Sequence, residues 1–343
     1  MNRSVYAIDP LADARWDDLV ARHPEATVFH SRGWLEALQR TYGYEPFVLT
    51  TTGVGPLADG LVACRVRTWL TRRLASLPFS DHCAPLTDDP ATTAMLVARL
   101  RSEAETHGWR SCELRPRHPL ATGLHAGDSY WLHTLDLARP AAEVFKGFHP
   151  SSTQRAIRRA EREQVTYETG RSDSMLADFF ALLRLTRRRH GVPPQPFAWF
   201  RNLATCLGER LAIHLARKGG RPIAALLTIV FRRSMVYKYG GSDAAYHRLG
   251  GMPFLFWQAI QGAQAQGLLE LDLGRTDREQ DGLIAFKNHL GATPSPLTYY
   301  EWPAPRGGAL HGGALTRLAR RVLVNLPDAA LDLSGRLAYR HLG

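Results

Sequence analysis

The chain has 343 residues, of which 45% are hydrophobic and 22% charged, and its formal net charge is +11. This composition is typical of a globular protein with a sizeable core and enough length for two domains. The positive charge favours a polyanionic partner, such as a nucleotide, a tRNA, a phospholipid or a lipid-linked pyrophosphate. An arginine-rich composition without such a partner would give the same excess.

Several classes of protein and site are disfavoured at this stage. The N-terminal "MNRSVYAIDPLADARW" lacks the apolar segment of a secretory signal, and the longest apolar run, "IAALLTIVF", is far shorter than the roughly 20 residues that span a bilayer. The four cysteines have no CxxC spacing and the fourteen histidines form no HExxH pair. We therefore expect a cytoplasmic protein with reduced thiols and no metal site.

In the first half of the chain, the hydrophobic pattern predicts a helix, three strands, a long helix and two further strands. These elements are, in order, "SRGWLEALQRTY", "PFVLTTT", "LADGLVACRVR", "LASLPFS", "TTAMLVARLRSEAETHG", "CELR" and "WLHTLDL".

The second half begins with three predicted helices, "SSTQRAIRRAERE", "SMLADFFALLRLTRRRH" and "FAWFRNLATCLG". A meander of strands follows in "RLAIHLARKGG" and "RPIAALLTIVFRRSMVYKYGG", with short turns that contain Gly or Arg and Ser. The second half ends with four more predicted elements. They are the long helix "MPFLFWQAIQGAQAQG", the strand "LELDLG", the short helix "GLIAFKNHLG" and the strand "PLTYYEW".

The two halves share a pattern in which a long helix runs into a strand, which indicates an internal duplication. Gly108 and Gly267 follow the two helices, where a C′ glycine is expected, and Glu113 and Asp272 occupy matching strand positions. The predicted fold class is α+β, with a mixed, mainly antiparallel sheet in each half. We place the domains at 1–147 and 148–305, followed by a tail at 306–343.

The tail begins with the Pro- and Gly-rich "PAPRGGALHGG", which is typical of a linker. A basic amphipathic helix, broken at Pro327, is predicted after it. Such a helix either packs on its own domain or lies on a membrane surface.

The stretch "KYGGSDAAYHRLGGMP" joins a predicted strand to a helix. The start of a helix offers unpaired N–H groups and a favourable dipole to an anion, and glycines allow a ligand to approach the backbone closely. A connecting turn that needs positive φ would use glycines in the same way. The residues that form the candidate anion site are Arg248 and the glycines Gly240, Gly241, Gly250 and Gly251.

The matching helix of the first half opens with "TDDPATTAM". Asp88 and Asp89 are good N-cap residues, but they would repel a phosphate group. We therefore expect the second half alone to bind an anionic donor, and the first half to serve as a platform for the acceptor.

The segment "LPFSDHCAPL" contains Ser80, Asp81, His82 and Cys83, the residue types of a catalytic triad. Neighbours along a strand or turn point in different directions, so a triad among them is not expected. Asp81 and His82 are interpreted as residues of an acceptor pocket or a loop. A nucleophilic Cys83 stays open as an alternative.

The order strand–"YKYGGSD"–helix–strand–"DLGRT"–"GLIAFK"–xxxG resembles the second domain of the Fem-type, or FemAB-like, peptidyltransferases, a group that includes lipid II:glycine glycyltransferases. The resemblance covers most of residues 5–302 and implies two tandem GNAT-like domains. It also implies that Lys287, preceded by Phe286 and followed by Gly291, lies beside the acyl-transfer centre. The long coiled-coil arm of the classical Fem enzymes has no counterpart, because no long heptad segment occurs.

The resemblance assigns further roles to residues of the second half. Arg248 to Gly251 are similar to a degenerate form of the pyrophosphate loop of acetyl-CoA-dependent GNAT enzymes, although Pro253 stands where those enzymes prefer Gly or Ala. Arg155 and Arg158, three residues apart on one helix face, are expected to contact phosphates of the acceptor, as in Fem-type enzymes. A solvated, ion-paired helix face is the alternative. The other residues placed in the donor site are Tyr239 and Arg275.

A GNAT-like reaction requires a bound amine to attack an ester or thioester carbonyl directly, in a ternary complex. Backbone N–H groups of "YKYGGS" and the charge of Lys287 would stabilise the oxyanion. Asp243, Tyr237 or His247 would relay the proton, with Asp243 the first choice because it lies at the strand end beside the glycines.

We therefore expect an N-acyltransferase that acts on an amine of a cell-envelope or exopolysaccharide precursor, either a glycan or a peptide. Acyl-CoA or aminoacyl-tRNA would be the co-substrate, with no tightly bound cofactor and no metal. Peripheral contact with the inner face of the membrane would occur through the C-terminal helix. The alternative is a non-catalytic degenerate GNAT protein that binds an anionic glycolipid or a nucleic acid.

Overall fold

The computed structural model describes residues 4–120, 123–304 and 323–342. They divide into two compact units. The described part of unit 1 runs up to Tyr130 and resumes from Pro296 and from Leu337, whereas unit 2 runs from Trp131 to Ser295 and ends at Arg336.

The described part of unit 1 combines the strands of a sheet with helices. In chain order its elements are β1 (Tyr6–Ile8), α1 (Ala14–Arg22), α2 (Arg32–Tyr42), β2 (Glu45–Thr50), β3 (Leu61–Arg67), β4 (Arg72–Ser76), α3 (Pro90–Thr106), β5 (Ser111–Leu114) and the first part of β6 (His125–Asp136). The strand order is β1-β2-β3-β4-β5, followed by β12 (Thr293–Trp302), whose Tyr300 pairs with Leu114. The core of unit 1 includes residues of α3 and of the sheet, such as Leu96, Leu100 and Leu74.

Unit 2 has the larger set of helices. After the end of β6 come α4 (Ala141–Gly147), a π-helical turn (Pro150–Gln154), α5 (Arg155–Arg162), β7 (Thr166–Gly170), α6 (Asp173–Arg189), α7 (Phe197–Leu207), β8 (Leu211–Lys218), β9 (Arg221–Phe231), β10 (Ser234–Ser242), a 3-10 turn (Ala244–Leu249), α8 (Gly251–Ala265), β11 (Glu270–Asp277) and α9 (Asp281–His289). The last helix, α10 (Asp328–Leu342), begins in this unit. The strand order is β6-β11-β10-β9-β8-β7.

Both units contain the same strand–helix–parallel strand crossover, in agreement with the predicted duplication. In unit 1, β4 pairs parallel to β5 after α3, and Ala75 lies opposite Glu113. In unit 2, β10 pairs parallel to β11 after α8, and Val236 lies opposite Asp272. The strand pairs β1–β2, β2–β3, β3–β4, β5–β12, β7–β8, β8–β9 and β9–β10 are antiparallel. The predicted α+β class with mixed, mainly antiparallel sheets is confirmed.

Helix ends follow the local sequence signals. Gly108 and Gly267 have φ of +62° and +73°, the left-handed conformation expected of glycines just after a helix. Asp89 caps α3 by accepting a hydrogen bond from the Thr92 N–H at 2.8 Å. Pro327 directly precedes α10, which agrees with the predicted break. The rest of the predicted tail helix and most of the linker lie outside the described residues.

The division into compact units differs from the predicted boundary between residues 147 and 148. The chain enters unit 2 at Trp131, because Leu135 and the α4–α5 region (Val144, Phe148) belong to the core of unit 2. The end of β12 belongs to unit 1, where Glu301 pairs with Glu113. A division of the sequence into continuous segments cannot describe this arrangement, because the chain leaves unit 1 and later re-enters it.

Candidate functional site

The strand β10 changes partners at a β-bulge. Its parallel register with β11 covers Ser234 to Val236, and the register with β9 shifts between Tyr237 and Tyr239. From Tyr239 to Ser242, the strand pairs with β9 along Leu227 to Ala224. The bulge therefore lies where the β10–β11 ladder ends, which is the place in this sheet where backbone groups can turn towards a ligand.

The glycines of the candidate anion site have specific packing roles. A Cβ at Gly250, whose φ is +77°, would lie 2.8 Å from the carbonyl carbon of Ala156 and closer still to its oxygen. A Cβ at Gly241 would overlap the backbone of Leu182 and Leu183 in α6. Close packing and turn conformation thus explain these two glycines without a ligand. At Gly251 an added Cβ would meet the side chain of Ala224 at 3.2 Å.

A cavity of about 330 Å³ lies in unit 2, beside the start of α8. It is lined by the start of β9, the end of β10, the 3-10 turn and the first turn of α8. The lining residues are Ile223, Ala224, Ser242, Tyr246, His247, Gly251, Met252, Pro253 and Phe286. The lining is mainly apolar, with a few polar groups and the N-terminus of a helix, which is the usual make-up of a small-molecule site.

Lys287 is buried on α9, one residue after Phe286 of the cavity lining. Its Nζ donates hydrogen bonds to the carbonyl oxygens of Gly274 at 2.8 Å and Arg275 at 3.2 Å in β11. Gly274 has φ of +71°, and its N–H donates to the Asp272 carboxylate at 2.7 Å. The turn in β11 therefore fixes the carbonyl groups that hold the ammonium group.

His133, on β6, is a second buried polar residue of this region. Neither ring nitrogen has a hydrogen bond of ordinary geometry. Burial and the nearby charge of Lys287 lower the pKa of His133 to about 4, so the ring is neutral at pH 7. A neutral ring avoids placing a second positive charge beside Lys287.

The two predicted tyrosines have different environments. Burial raises the pKa of Tyr237 to about 12, so its phenol is protonated at neutral pH and acts as a hydrogen-bond donor rather than a base. Its ring packs edge-on against Phe256, with 4.9 Å between centroids. The Tyr239 hydroxyl instead accepts a hydrogen bond from Trp199 Nε1 at 2.9 Å, within the core. Any contact between Tyr239 and the acyl donor would therefore have to come from the backbone of this residue.

Asp243 already has two partners. It caps the 3-10 turn by accepting from the Ala245 N–H at 3.0 Å, and it pairs with Arg221 at 3.2 Å. These contacts give the carboxylate a structural role at the strand end, in addition to the predicted proton relay.

The arginines of α5 form an exposed basic surface. Arg155, Arg158 and Arg162 are exposed, and Arg159 donates to the carbonyl oxygen of Arg248 at 3.2 Å. This bond ties α5 to the loop that carries the glycines. Arg248 itself is exposed, as an anion contact would require.

A pair of histidines lies beside the start of the same helix. The rings of His149 and His289 are 4.2 Å apart between centroids. Ser152 Oγ lies 3.0 Å from His149 Nδ1 and 3.2 Å from His289 Nδ1. No prediction from the sequence included this pair, which is brought together by the turn at Pro150 and the end of α9.

In unit 1, the predicted acceptor residues follow β4. His82 is buried, with its ring edge-on to Phe29 at 5.5 Å, and the Asp81 carbonyl oxygen accepts from the Tyr299 hydroxyl at 2.6 Å. The arrangement makes His82 part of the core packing of this loop. Cys83 is fully buried, and burial raises the pKa of its thiol well above the ordinary value, which disfavours a nucleophilic role.

Unit 1 also contains a carboxylate pair that sequence reasoning missed. Glu113 on β5 lies directly opposite Glu301 on β12. Burial, together with the charges of Glu113 and Asp128, raises the pKa of Glu301. A partly buried carboxyl group with a raised pKa is a candidate proton carrier. The two residues are far apart in the chain, so only the β5–β12 pairing reveals the pair.

The start of α3 lines a cavity of about 340 Å³ in unit 1. Its lining includes Glu25, Asp88, Asp89 and His118. The acidic lining agrees with the expectation that this helix start does not attract phosphate. An amine-bearing ligand suits it better.

The described residues contain neither a membrane-spanning helix nor a cluster of metal ligands. Over 4–120, 123–304 and 323–342, no helix is long and apolar enough to cross a membrane. Within the same ranges, no group of three or more His, Cys, Asp or Glu side chains is placed to hold a metal ion.

Comparison with known proteins agrees with the fold of unit 2. The family model described as an acetyltransferase (GNAT) domain matches residues 150–288. A UDP-N-acetylmuramoylpentapeptide-lysine N(6)-alanyltransferase from Weissella viridescens is 26% identical over 205 residues, which are 57% of this chain and 58% of that protein. The chain thus matches less than two thirds of this relative's length.

Solved structures extend the similarity over both units. The crystal structure of FemX has a TM-score of 0.65 at 12% identity, covering 86% of this chain and 96% of FemX. A tandem GNAT protein from the clavulanic acid biosynthesis pathway has a TM-score of 0.55 at 14% identity, covering 87% and 98%. Together with the match to a GNAT domain model over residues 150–288 and the duplicated crossover, these similarities show a fold of two tandem GNAT-like domains, like that of FemX.

Proposed function

We propose that this protein is an N-acyltransferase that transfers an aminoacyl group to an amine of a cell-envelope precursor. The observation that carries the proposal is the arrangement in unit 2: Lys287 is held on β11 beside the residue that lines the cavity at the start of α8. The similarity to a UDP-N-acetylmuramoylpentapeptide-lysine N(6)-alanyltransferase supports the same reaction class. The comparisons lend no support to a binding-only role.

Aminoacyl-tRNA is the donor that the residues favour over acyl-CoA. A pyrophosphate loop binds through successive backbone N–H groups at a helix start. Pro253 removes one such group from the first turn of α8, and Phe254 N–H is engaged with the Gly250 carbonyl oxygen at 3.1 Å. The exposed arginines of α5 and the net charge of +11 instead suit the phosphates of a nucleic acid.

The mechanism that we propose is direct attack of the amine on the ester carbonyl of the donor, in a ternary complex. The ammonium group of Lys287 and the phenol of Tyr237, protonated at neutral pH, would stabilise the negative charge that develops on the carbonyl oxygen. Each such group typically contributes about 10²–10³ in rate.

The amine must lose a proton before it attacks. Asp243 and His247 of unit 2 are the candidates for accepting this proton. Asp243 pairs with Arg221 at 3.2 Å, and His247 Nε2 lies 2.9 Å from Ser242 Oγ.

Peripheral membrane contact is part of the proposal for a lipid-linked acceptor. In α10, Leu333 and Leu337 are exposed, and Arg336 and Arg340 lie beside them in the sequence. The tip of the β3–β4 hairpin carries Trp69, which is 84% exposed, and Leu70, between arginines at 67 and 72. Exposed Trp and Leu flanked by arginine favour an anionic bilayer surface.

The test offers labelled alanyl-tRNA and labelled acyl-CoA separately to the purified protein, with an envelope-precursor extract as acceptor. We expect label in the acceptor from alanyl-tRNA, and no transfer after RNase treatment. Labelling from acyl-CoA alone, insensitive to RNase, would exclude the tRNA-dependent reaction and keep the acyltransferase. No transfer from either donor would contradict the proposed function.

A further inference from the structure

A serine and a histidine lie in hydrogen-bond contact on the wall of the unit 2 cavity. Ser242 Oγ, at the end of β10, is 2.9 Å from Nε2 of His247 on the 3-10 turn. Both residues line the cavity of about 330 Å³. A hydroxyl group in contact with an imidazole is the basic arrangement of nucleophilic acyl transfer.

The position of Ser242 is fixed by α6. Its N–H donates to Thr186 Oγ1 at 2.8 Å, and its carbonyl oxygen accepts from Thr186 Oγ1 at 3.2 Å and from Arg189 Nη1 at 3.4 Å. With both backbone groups held, the side chain is directed towards His247 by the strand itself. A nucleophile must be held in this way to attack repeatedly at one geometry.

The state of His247 suits a base. Burial and the charge of Arg189 lower its pKa, and the carboxylate of Asp243 opposes this shift only in part. The imidazole is therefore neutral at pH 7, and its Nε2 can accept the Ser242 proton. Asp243 follows Ser242 directly and favours the imidazolium that forms once the proton is transferred.

The cavity supplies the remaining requirements of the reaction. The first two N–H groups of α8 belong to Gly251 and Met252, and first-turn N–H groups have no partner within their own helix. They and the helix dipole suit a developing oxyanion. Ile223, Ala224 and Phe286 provide an apolar wall for an acyl chain.

We propose that Ser242 and His247 form a nucleophile–base pair that cleaves activated acyl esters or thioesters without an amine acceptor. The Ser242 oxygen attacks the acyl carbonyl while His247 takes its proton. The bond to the leaving alcohol or thiol breaks, and His247 returns the proton to that group. Water, activated by His247, then hydrolyses the acyl-serine to a carboxylic acid and regenerates the hydroxyl group.

This activity goes beyond the direct transfer proposed above, which requires no acyl-enzyme and depends on Lys287. The two are separable by experiment. Loss of serine acylation with amine transfer intact would contradict only the present inference, whereas loss of amine transfer with serine acylation intact would contradict only the proposed function.

The probes are p-nitrophenyl acetate and a fluorophosphonate, applied to the full chain and followed by mass spectrometry of the Ser242 peptide. We expect one acetyl or phosphonyl group on Ser242, none in S242A, and acylation slowed roughly 10²–10⁴-fold in H247Q. S242C, which keeps a nucleophile, should form the acetyl thioester. S174A, an exposed serine elsewhere in unit 2, should react as the unaltered chain does.

Unfolding in urea shows whether each variant is folded before its reactivity is compared. If His247 only stabilises the 3-10 turn, H247Q changes the free energy of unfolding and leaves the acylation rate of Ser242 unchanged. That result would overturn the inference, as would an unmodified Ser242 in the folded unaltered chain.

Discussion

Replacing Gly250 with alanine is expected to destabilise unit 2 strongly, because two separate costs arise at this residue. The left-handed conformation at φ +77° costs a non-glycine residue about 1–2 kcal/mol. The added Cβ would also overlap the carbonyl group of Ala156, and relieving such overpacking costs about 1–3 kcal/mol. We expect G250A to lower the free energy of unfolding by about 3 kcal/mol.

Gly262 provides a matched control on the same helix. It lies inside α8, and a Cβ there would have no atom within 4 Å. G262A should raise the free energy of unfolding by about 1 kcal/mol, because alanine is the better helix former. The two Gly→Ala changes in this region therefore have opposite signs.

The assay is urea unfolding of both variants and the unaltered chain, followed by tryptophan fluorescence. Trp257 in α8 reports on the altered region. If G250A unfolds within about 0.5 kcal/mol of the unaltered chain, the turn relaxes freely. The packing explanation of this glycine would then be refuted, and close approach of a ligand would become the better reason for it.

Three further predictions concern stability and surface contacts. Burial lowers the pKa of His30 and of His214 from 6.5 to about 4, so the stability that these residues contribute is full above pH 6.5 and is lost as the pH falls through 4. H214Q should therefore reduce the number of protons taken up on unfolding at pH 5 by about one. An unchanged pH dependence of the urea midpoint in H214Q would contradict this. D89A should lower the free energy of unfolding by about 1 kcal/mol, because α3 loses its cap. D89N, which keeps a capping side chain, should lose much less, and an equal loss in D89N would argue against the capping explanation. Sedimentation with anionic vesicles should decrease in W69A/L70A, an effect that neutral vesicles should not show; equal binding of the variant would exclude the hairpin tip.

The elements that the sequence revealed are mainly the long ones that are rich in apolar residues. Helices such as α3 and α8 and the β8–β9–β10 meander bury most of one face, and their boundaries lie within a few residues of prediction. The strands β1 and β7 were missed, because each is short and has no buried residue, and the short helices α1 and α4 were missed as well. An edge strand of this kind forms because a neighbouring strand offers hydrogen bonds, which a single-sequence pattern does not record.

The candidate site was only partly predictable for a related reason. Lys287 and Phe286 could be selected from a local motif, since the helix that carries them is continuous in sequence. The pairing of Glu113 with Glu301 depends on the return of β12 to β5, and the contact between Ser242 and His247 depends on the 3-10 turn. Tyr239, selected from the same motif as the glycines, has its side chain in the core because the bulge directs it towards Trp199.

The most direct test of the account is a single measurement with Lys287. The transfer of labelled alanine from alanyl-tRNA to an amine of the envelope precursor is compared between the unaltered chain and K287M, which keeps the apolar stem and removes the charge. We expect transfer by the unaltered chain and a fall of about 10²-fold or more in K287M with the fold retained. Equal transfer by a folded K287M would contradict the assignment of Lys287 to the acyl-transfer centre.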